Sequence, residues 1–326
     1  MPKERITQVI QEMFKDKEYT FEVYISMKDD NSLKRMVLYE GDPQSGLVED
    51  NFKRCVQDSI EEAIINKFLD EDSEYDLVEN IADNQRKFYV IKQDSSYEPF
   101  SIIKTPAAEI GKFSIADRDN SAGILFRFKR KGLKIWAYQH IYPTAIPNKN
   151  KKAFFSVQHG DSFIGMDQPM FPISKKADVL IIGDEIVTSD ITLMERSFGF
   201  QGFIISSAGK SISNVQELGL VANTDKLMDY IGRSKISYAK KMMKIKNSKV
   251  LQLSAASLLN KVQTLPRWKG KFEIQDDHIV LNTYAQVESL IELLDETYTR
   301  SDVTGEEYKT DAKKWVEPPV ISEESA

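Results

Sequence analysis

Glu307 and Lys309 have the spacing in which a metal-dependent nuclease places a carboxylate and a lysine, and Asp302 and Asp311 lie close to them in sequence. Such a site holds Mg²⁺ on two or three carboxylates, and the lysine orients the attacking water. The surrounding segment has the pattern of a loop and a helix end rather than of a strand. Charged triplets of this kind also arise by chance.

Asp178 and Asp184 flank an apolar strand and form a second candidate carboxylate set. Ion pairs on the protein surface explain both sets better than a metal site does. We therefore predict no metal site. A metal-dependent nuclease remains the alternative function, so the sequence favours a non-enzymatic role but leaves the nuclease open.

Two other patterns that could carry chemistry are incomplete. The three histidines, His140, His159 and His278, are scattered without the spacing of metal ligands. Gly209-Lys210-Ser211 resembles the end of a nucleotide-binding loop, but isoleucines occupy positions 204 and 205, where the loop needs its upstream glycine. The sequence predicts no catalytic residue and no cofactor.

Positive charge is concentrated in two acid-free segments of an otherwise acidic chain. The net charge is −6, from 44 Lys and Arg against 50 Asp and Glu. Residues 120–160 contain eight cations and no acid, and residues 230–272 contain eleven cations and no acid. Because local potential steers binding more than total charge does, these segments favour a polyanionic partner.

The first-choice partner is DNA, contacted through its phosphate backbone. The candidate DNA-binding residues are Arg233, Lys235, Lys240, Lys241, Lys244, Lys246, Lys249, Arg267, Lys269, Lys129, Arg130, Lys131 and Lys134. Few side chains suited to base reading accompany them, so shape and charge should dominate recognition. Other interpretations remain open: a solvated surface, a surface that faces the chain's own acids, or docking on an acidic partner or anionic lipid.

The elements that must position these cations are a helix and a hairpin. At 100° per residue, four apolar residues fall within one arc of about 60°: Ile231, Tyr238, Met242 and Ile245. Arg233, Lys240 and Lys244 fall almost opposite this arc. The pattern therefore predicts one amphipathic helix with a basic face. Arg130, Lys131 and Gly132 form a tight turn that puts positive charge at the tip of a hairpin.

The remaining patterns predict an α+β fold. Residues 1–170 form an N-terminal domain of antiparallel strands and amphipathic helices, including a helix over 48–69 with Phe52 on its apolar stripe. Residues 171–316 form a mainly helical domain with a β-hairpin, and residues 317–326 form a flexible tail. The N-terminus lacks the apolar run of a signal peptide, no segment matches a membrane span, and Cys55 is the single cysteine. These features predict a cytoplasmic protein.

Two passages carry a resemblance to a known family. The first is Ala177-Asp-Val-Leu-Ile-Ile-Gly-Asp followed by Met194-Glu-Arg-Ser-Phe-Gly-Phe. The second runs from Leu290-Ile-Glu-Leu-Leu-Asp-Glu-Thr-Tyr through Ser301-Asp-Val-Thr-Gly-Glu-Glu-Tyr to Asp311-Ala-Lys-Lys. Together they are similar to the KwaB-like proteins of the bacterial Kiwa anti-phage defence system, over roughly residues 100 to 315.

The resemblance implies a DNA-binding effector that restrains phage DNA replication or expression. It also implies a small membrane protein, a KwaA-like partner, and self-association as a homodimer or higher homo-oligomer. Recruitment to the inner membrane by that partner would follow. The resemblance transfers no catalytic residue to this chain.

Overall fold

The computed structural model describes the chain in segments. These are residues 2–29, 32–40, 52–78, 81, 87–94, 96–142, 171–233, 236–246 and 248–310, together with the backbone of 156–159 and 162–165. Contacts divide the chain into a first unit, Met1–Val78 with Arg86–Phe198, and a second unit, Glu79–Gln85 with Gly199–Ala326.

The first unit is built on a nine-stranded sheet. Its strands are β1 (Thr20–Met27), β2 (Leu33–Met36), β3 (Glu74–Leu77), β4 (Lys87–Lys92), β5 (Gly111–Lys112), β6 (Ser121–Arg130), β7 (Leu133–His140), β10 (Val179–Ile182) and β11 (Glu185–Thr188). The spatial order is β3-β4-β11-β10-β7-β6-β1-β2-β5. The β2–β5 and β3–β4 pairs are parallel and the others are antiparallel. A separate hairpin joins β8 (Ser156–His159) to β9 (Ser162–Gly165).

Two helices, α1 (Pro2–Phe14) and α2 (Phe52–Phe68), pack on one face of this sheet. Ile6 and Ile10 of α1 and Ile60 and Ile64 of α2 are buried in one cluster with inward residues of the strands. Their spacing of four residues puts each pair on one helix face, which is the amphipathic arrangement that burial against a sheet requires. The predicted stripe on α2 is confirmed except at Phe52, which is exposed at the helix start.

The first unit ends in α3 (Ile191–Ser197). The Asp190 side chain accepts a hydrogen bond from the Leu193 backbone N–H at 2.8 Å, so Asp190 is the N-cap of this helix.

The second unit is mainly helical. Its helices are α4 (Phe200–Glu217), α5 (Asp225–Arg233), α6 (Ile236–Ile245), α7 (Ala255–Thr264) and α8 (Tyr284–Leu294). Two short antiparallel hairpins accompany them, β12 (Glu273–Gln275) with β13 (His278–Val280), and β14 (Tyr298–Arg300) with β15 (Glu307–Lys309). The first of these hairpins was predicted, and the second was not.

The α+β class is confirmed. The sheet of the first unit is mixed, whereas the sequence predicted antiparallel strands. The predicted boundary after residue 170 differs from the division after Phe198, because β10 and β11 pair within the first unit's sheet. The predicted tail, 317–326, lies outside the described residues. Within the described ranges, no helix has both the length and the apolar composition needed to cross a membrane.

Candidate nucleic-acid interface

The β6–β7 hairpin presents three exposed lysines, which we call the hairpin-tip lysines: Lys129, Lys131 and Lys134. Lys131 and Gly132 occupy the turn with φ of 44° and 88°. Positive φ at both central residues matches the strand twist in a two-residue hairpin, and glycine meets this requirement without strain. The predicted tight turn is thus confirmed.

Lys129 and Lys134 are directly opposite each other in the β6–β7 ladder. Side chains in opposite positions share a face of the sheet, and like charges there repel. Across the described part of the chain, none of the hairpin-tip lysines forms an ion pair with a carboxylate. Repulsion among these lysines therefore lowers the stability of the folded hairpin, and a bound anion would reduce that repulsion.

Arg130, which was predicted to contact DNA with its neighbours, is only 6% exposed. Its guanidinium donates to the Glu12 carbonyl oxygen at 2.6 Å and to Asp16 Oδ2 at 2.7 Å. The alternation along β6 turns Arg130 towards α1, on the face opposite to Lys129. Its observed role is to fasten the hairpin to the end of α1.

The predicted basic helix is divided in the structure. Helix α5 ends at Arg233 and α6 begins at Ile236, and Lys235 lies outside the described residues. In α6 the buried residues are Ala239, Lys241, Met242, Met243 and Ile245. Helix α6 is therefore covered on most of its circumference, because it packs against α4 and α8. It does not offer one broad cationic face.

The cations of α5 and α6 have partners within the second unit. Arg233 Nε lies 2.7 Å from Asp229 Oδ1, one turn earlier in α5. Lys241 is 9% exposed, with its Nζ 5.9 Å from the centroid of the Tyr238 ring. Lys244 is half-buried, 3.9 Å from Asp295, and Lys240 is half-buried as well. Arg233 is exposed within its ion pair, whereas Lys240, Lys241 and Lys244 contribute mainly to the packing of the unit.

Exposed charge continues after α6. Lys246 and Lys249 are exposed in the connection to α7, and both have partners within the chain. Further exposed lysines follow on α7 and the turn after it, which we call the α7 lysines: Lys261, Lys269 and Lys271.

The α7 lysines lie on one continuous turn of chain. The Leu265 N–H donates to the Lys261 carbonyl oxygen, and the Lys269 N–H donates to the Leu265 carbonyl oxygen. Buried Trp268 anchors this turn, with its ring 6.4 Å from Phe272 and 5.8 Å from Tyr298. In the described ranges, no α7 lysine forms an ion pair, and all three are exposed, although Lys271 Nζ lies 5.0 Å from the centroid of the Trp268 ring.

Arg267, between the α7 lysines in sequence, is bound by the β14–β15 hairpin. Its Nε donates to Glu307 Oε2 at 2.7 Å, and its guanidinium lies 3.8 Å from the centroid of the Tyr298 ring. The Glu307 carboxylate raises the pKa of Arg267 further above its usual value. Sequence reasoning placed Arg267 on the DNA-binding surface, whereas the structure gives it an internal partner.

Two of the carboxylates considered for a nuclease, Glu307 and Asp178, are paired with cations or with the backbone. Glu307 and Lys309 lie on a strand, β15, whereas the sequence predicted a loop there. Lys309 Nζ donates to Glu292 at 2.7 Å, and Glu307 accepts from Arg267. Asp178 accepts from the His140 backbone N–H at 2.8 Å and pairs with Lys176 at 3.0 Å. Asp311 lies outside the described residues. Within those residues, no group of three or more His, Cys, Asp or Glu side chains could hold a metal ion.

Sequence reasoning counted Lys261 and Lys271 in the acid-free segment but left them out of the predicted interface. The exposure of Lys261 could have been predicted from the sequence. Leu258, Leu259 and Val262 form the buried face of α7, and Lys261 lies on the other side of the helix. The predicted cationic face of α6 is thus largely buried, and the exposed lysines lie instead on α7 and the turn after it.

Comparison with known proteins identifies one family. The family model described as Kiwa protein KwaB-like matches residues 118–304, which is more than half of the chain. The match contains the β6–β7 hairpin and all helices from α3 to α8. Searches of curated proteins and of solved structures gave no match. The chain belongs to the KwaB-like family of the Kiwa anti-phage defence system.

Proposed function

We propose that this chain is the DNA-binding effector of a Kiwa system, and that it holds DNA by its phosphate backbone without reading sequence. The observation that carries the proposal is the exposure of six lysines in two groups, the hairpin-tip lysines and the α7 lysines. Each unit contributes one group. Each phosphate contact by a lysine releases condensed counterions, so a few such contacts give useful affinity despite the chain's net charge of −6.

The proposal that DNA is bound without regard to its base sequence is supported by which candidates are lysines and which are arginines. Arginine is the residue that reads guanine bidentately in the major groove. The three arginines among the candidates, Arg130, Arg233 and Arg267, are each held by a carboxylate of the same chain. Arg233 stays exposed within its ion pair, whereas the six lysines of the two groups, which form no ion pair in the described residues, act on phosphate as point charges.

The biological role that we propose follows from the family. Bound to phage DNA, the protein would restrain replication or expression, acting with a small membrane protein, the KwaA-like partner. We further propose a homodimer that resides in the cytoplasm and is recruited to the inner membrane by that partner. The nuclease alternative has less support, since two of its candidate carboxylates, Glu307 and Asp178, are engaged by partners within the chain.

Fluorescence anisotropy with wild-type protein tests the proposal. Two labelled DNA duplexes of unrelated sequence are titrated at several salt concentrations between about 50 and 200 mM. We expect similar affinities for both duplexes. If all six lysines contact phosphates, the slope of log K against log salt is expected to be about −5. Absence of binding at the lowest salt, or an affinity independent of salt, would contradict the proposal. A parallel incubation of plasmid with Mg²⁺ and with chelator tests the nuclease alternative.

A further inference from the structure

Arg267 lies in the same turn of chain as the α7 lysines, but its charge is taken up by the Glu307 carboxylate. The N–H groups of Trp268 and Lys269 both donate to the Leu265 carbonyl oxygen, which fixes this turn. Arg267 Nε donates to Glu307 Oε2 at 2.7 Å, and a second nitrogen of the guanidinium donates to the same oxygen. Arg267 therefore belongs to the basic group by position, while Glu307 neutralises its charge.

Two rings in contact with each other hold Arg267 beside one of the α7 lysines. The Arg267 guanidinium lies 3.8 Å from the centroid of the Tyr298 ring, and Lys271 Nζ lies 5.0 Å from that of the Trp268 ring. The two rings lie 5.8 Å apart, measured between centroids. Because the face of an aromatic ring attracts a cation, Tyr298 keeps the guanidinium next to the α7 lysines even when its carboxylate partner leaves.

The ion pair between Arg267 and Glu307 is open to solvent. The two side chains are 31% and 46% exposed, respectively. Water and salt weaken an exposed ion pair, so another anion can compete for the guanidinium. A phosphate group presents oxygen atoms that suit the same pair of guanidinium nitrogens. The Glu307 carboxylate is therefore exchangeable for a phosphate.

This exchange does not require the β14–β15 hairpin to detach. The Thr310 N–H donates to the Thr297 carbonyl oxygen at 2.8 Å, and Lys309 Nζ donates to Glu292 at 2.7 Å. Neither contact involves Glu307. Rotation of the Glu307 side chain is therefore enough to free the guanidinium.

We propose that Glu307 occupies a phosphate-binding position at Arg267, and that a DNA phosphate displaces it when the α7 lysines bind DNA. The inference rests on the proposed function and adds a regulation of the same surface. The displaced carboxylate stays close to the DNA and repels its phosphates. Glu307 thus limits the affinity of the α7 lysines and Arg267 for DNA.

Glu307→Gln tests the proposal in the anisotropy titration of duplex DNA over the salt series. Glutamine keeps the size of the side chain and a hydrogen-bond acceptor but carries no charge, so the hairpin should retain its structure. We expect this variant to bind DNA about fivefold more tightly than wild type. The slope of log K against log salt should become more negative by about one, because Arg267 then binds a phosphate without giving up a carboxylate.

Glu306→Gln is the matched control. Glu306 is the preceding residue and is exposed, and its carboxylate accepts from the Tyr308 hydroxyl at 3.1 Å. This variant removes the same charge but leaves the pair between Arg267 and Glu307 intact. We expect its affinity to change by less than about twofold, with an unchanged salt slope.

A double variant, Arg267→Gln with Glu307→Gln, tests whether the gain acts through the guanidinium. We expect it to bind DNA no more tightly than wild type. Equal affinities of Glu307→Gln and Glu306→Gln, or a gain that persists in the double variant, would overturn the inference and leave DNA binding by wild type in place. Absence of DNA binding by both wild type and Glu307→Gln would overturn the proposed function, and the inference with it.

Discussion

Reversing the charge of the α7 lysines, as Lys261→Glu, Lys269→Glu and Lys271→Glu together, is expected to weaken DNA binding about a hundredfold. This estimate takes roughly 1 kcal/mol for each exposed contact between a lysine and a phosphate. The slope of log K against log salt should become smaller in magnitude by about three, because three counterion-releasing contacts are lost. Both quantities come from one anisotropy titration over a salt series.

The matched control reverses three exposed lysines of the first unit, as Lys15→Glu, Lys92→Glu and Lys112→Glu. This control has the same net charge as the α7 variant, so it measures the contribution of total charge alone. We expect a small loss of affinity and an unchanged salt slope. Equal losses in the two variants would mean that total charge, rather than the α7 surface, determines binding.

Truncation of a core residue beneath the hairpin should have the largest effect on stability. Phe128 of β6 is fully buried, and its ring lies 5.1 Å from those of Phe14 and Phe21 and 5.3 Å from that of Tyr19. Phe128→Ala removes these contacts and leaves a cavity, so the free energy of unfolding should fall by about 3–5 kcal/mol. Urea denaturation followed by circular dichroism measures the change.

Phe52→Ala is the control for this prediction. Phe52 is 49% exposed at the start of α2, so its truncation should change the free energy of unfolding by no more than about 0.5 kcal/mol. Comparable losses at both positions would show that Phe128 does not belong to a tightly packed core.

Local sequence patterns predicted most helices and strands, because the type of an element depends mainly on residues that are near one another in sequence. The tight turn between β6 and β7 and the apolar stripe on α2 are local signals, and the structure contains both, with Phe52 as the exception on the stripe. The parallel pairing of β3 with β4 could not be predicted in this way. The residues between β3 and β4 have no periodic pattern that would indicate how the two strands pair. Their parallel pairing depends on the arrangement of the whole sheet.

The candidate interface was only partly predictable, because charge in a sequence does not indicate burial. Arg130 and Lys241 have the same local signal as Lys131 and Lys269, yet the first two are buried. Asp16, which follows the end of α1 and binds Arg130, lies over a hundred residues away in sequence. For Arg267, the partner Glu307 lies on a strand that the sequence did not predict. Long-range partners therefore decide which cations stay exposed.

Lysine acetylation, read by mass spectrometry with and without a DNA duplex, tests most directly whether the exposed lysines contact DNA. We predict that DNA protects the six hairpin-tip and α7 lysines from acetylation and leaves the acetylation of Lys15, Lys92 and Lys112 unchanged. Equal modification of the six lysines with and without saturating DNA would contradict it.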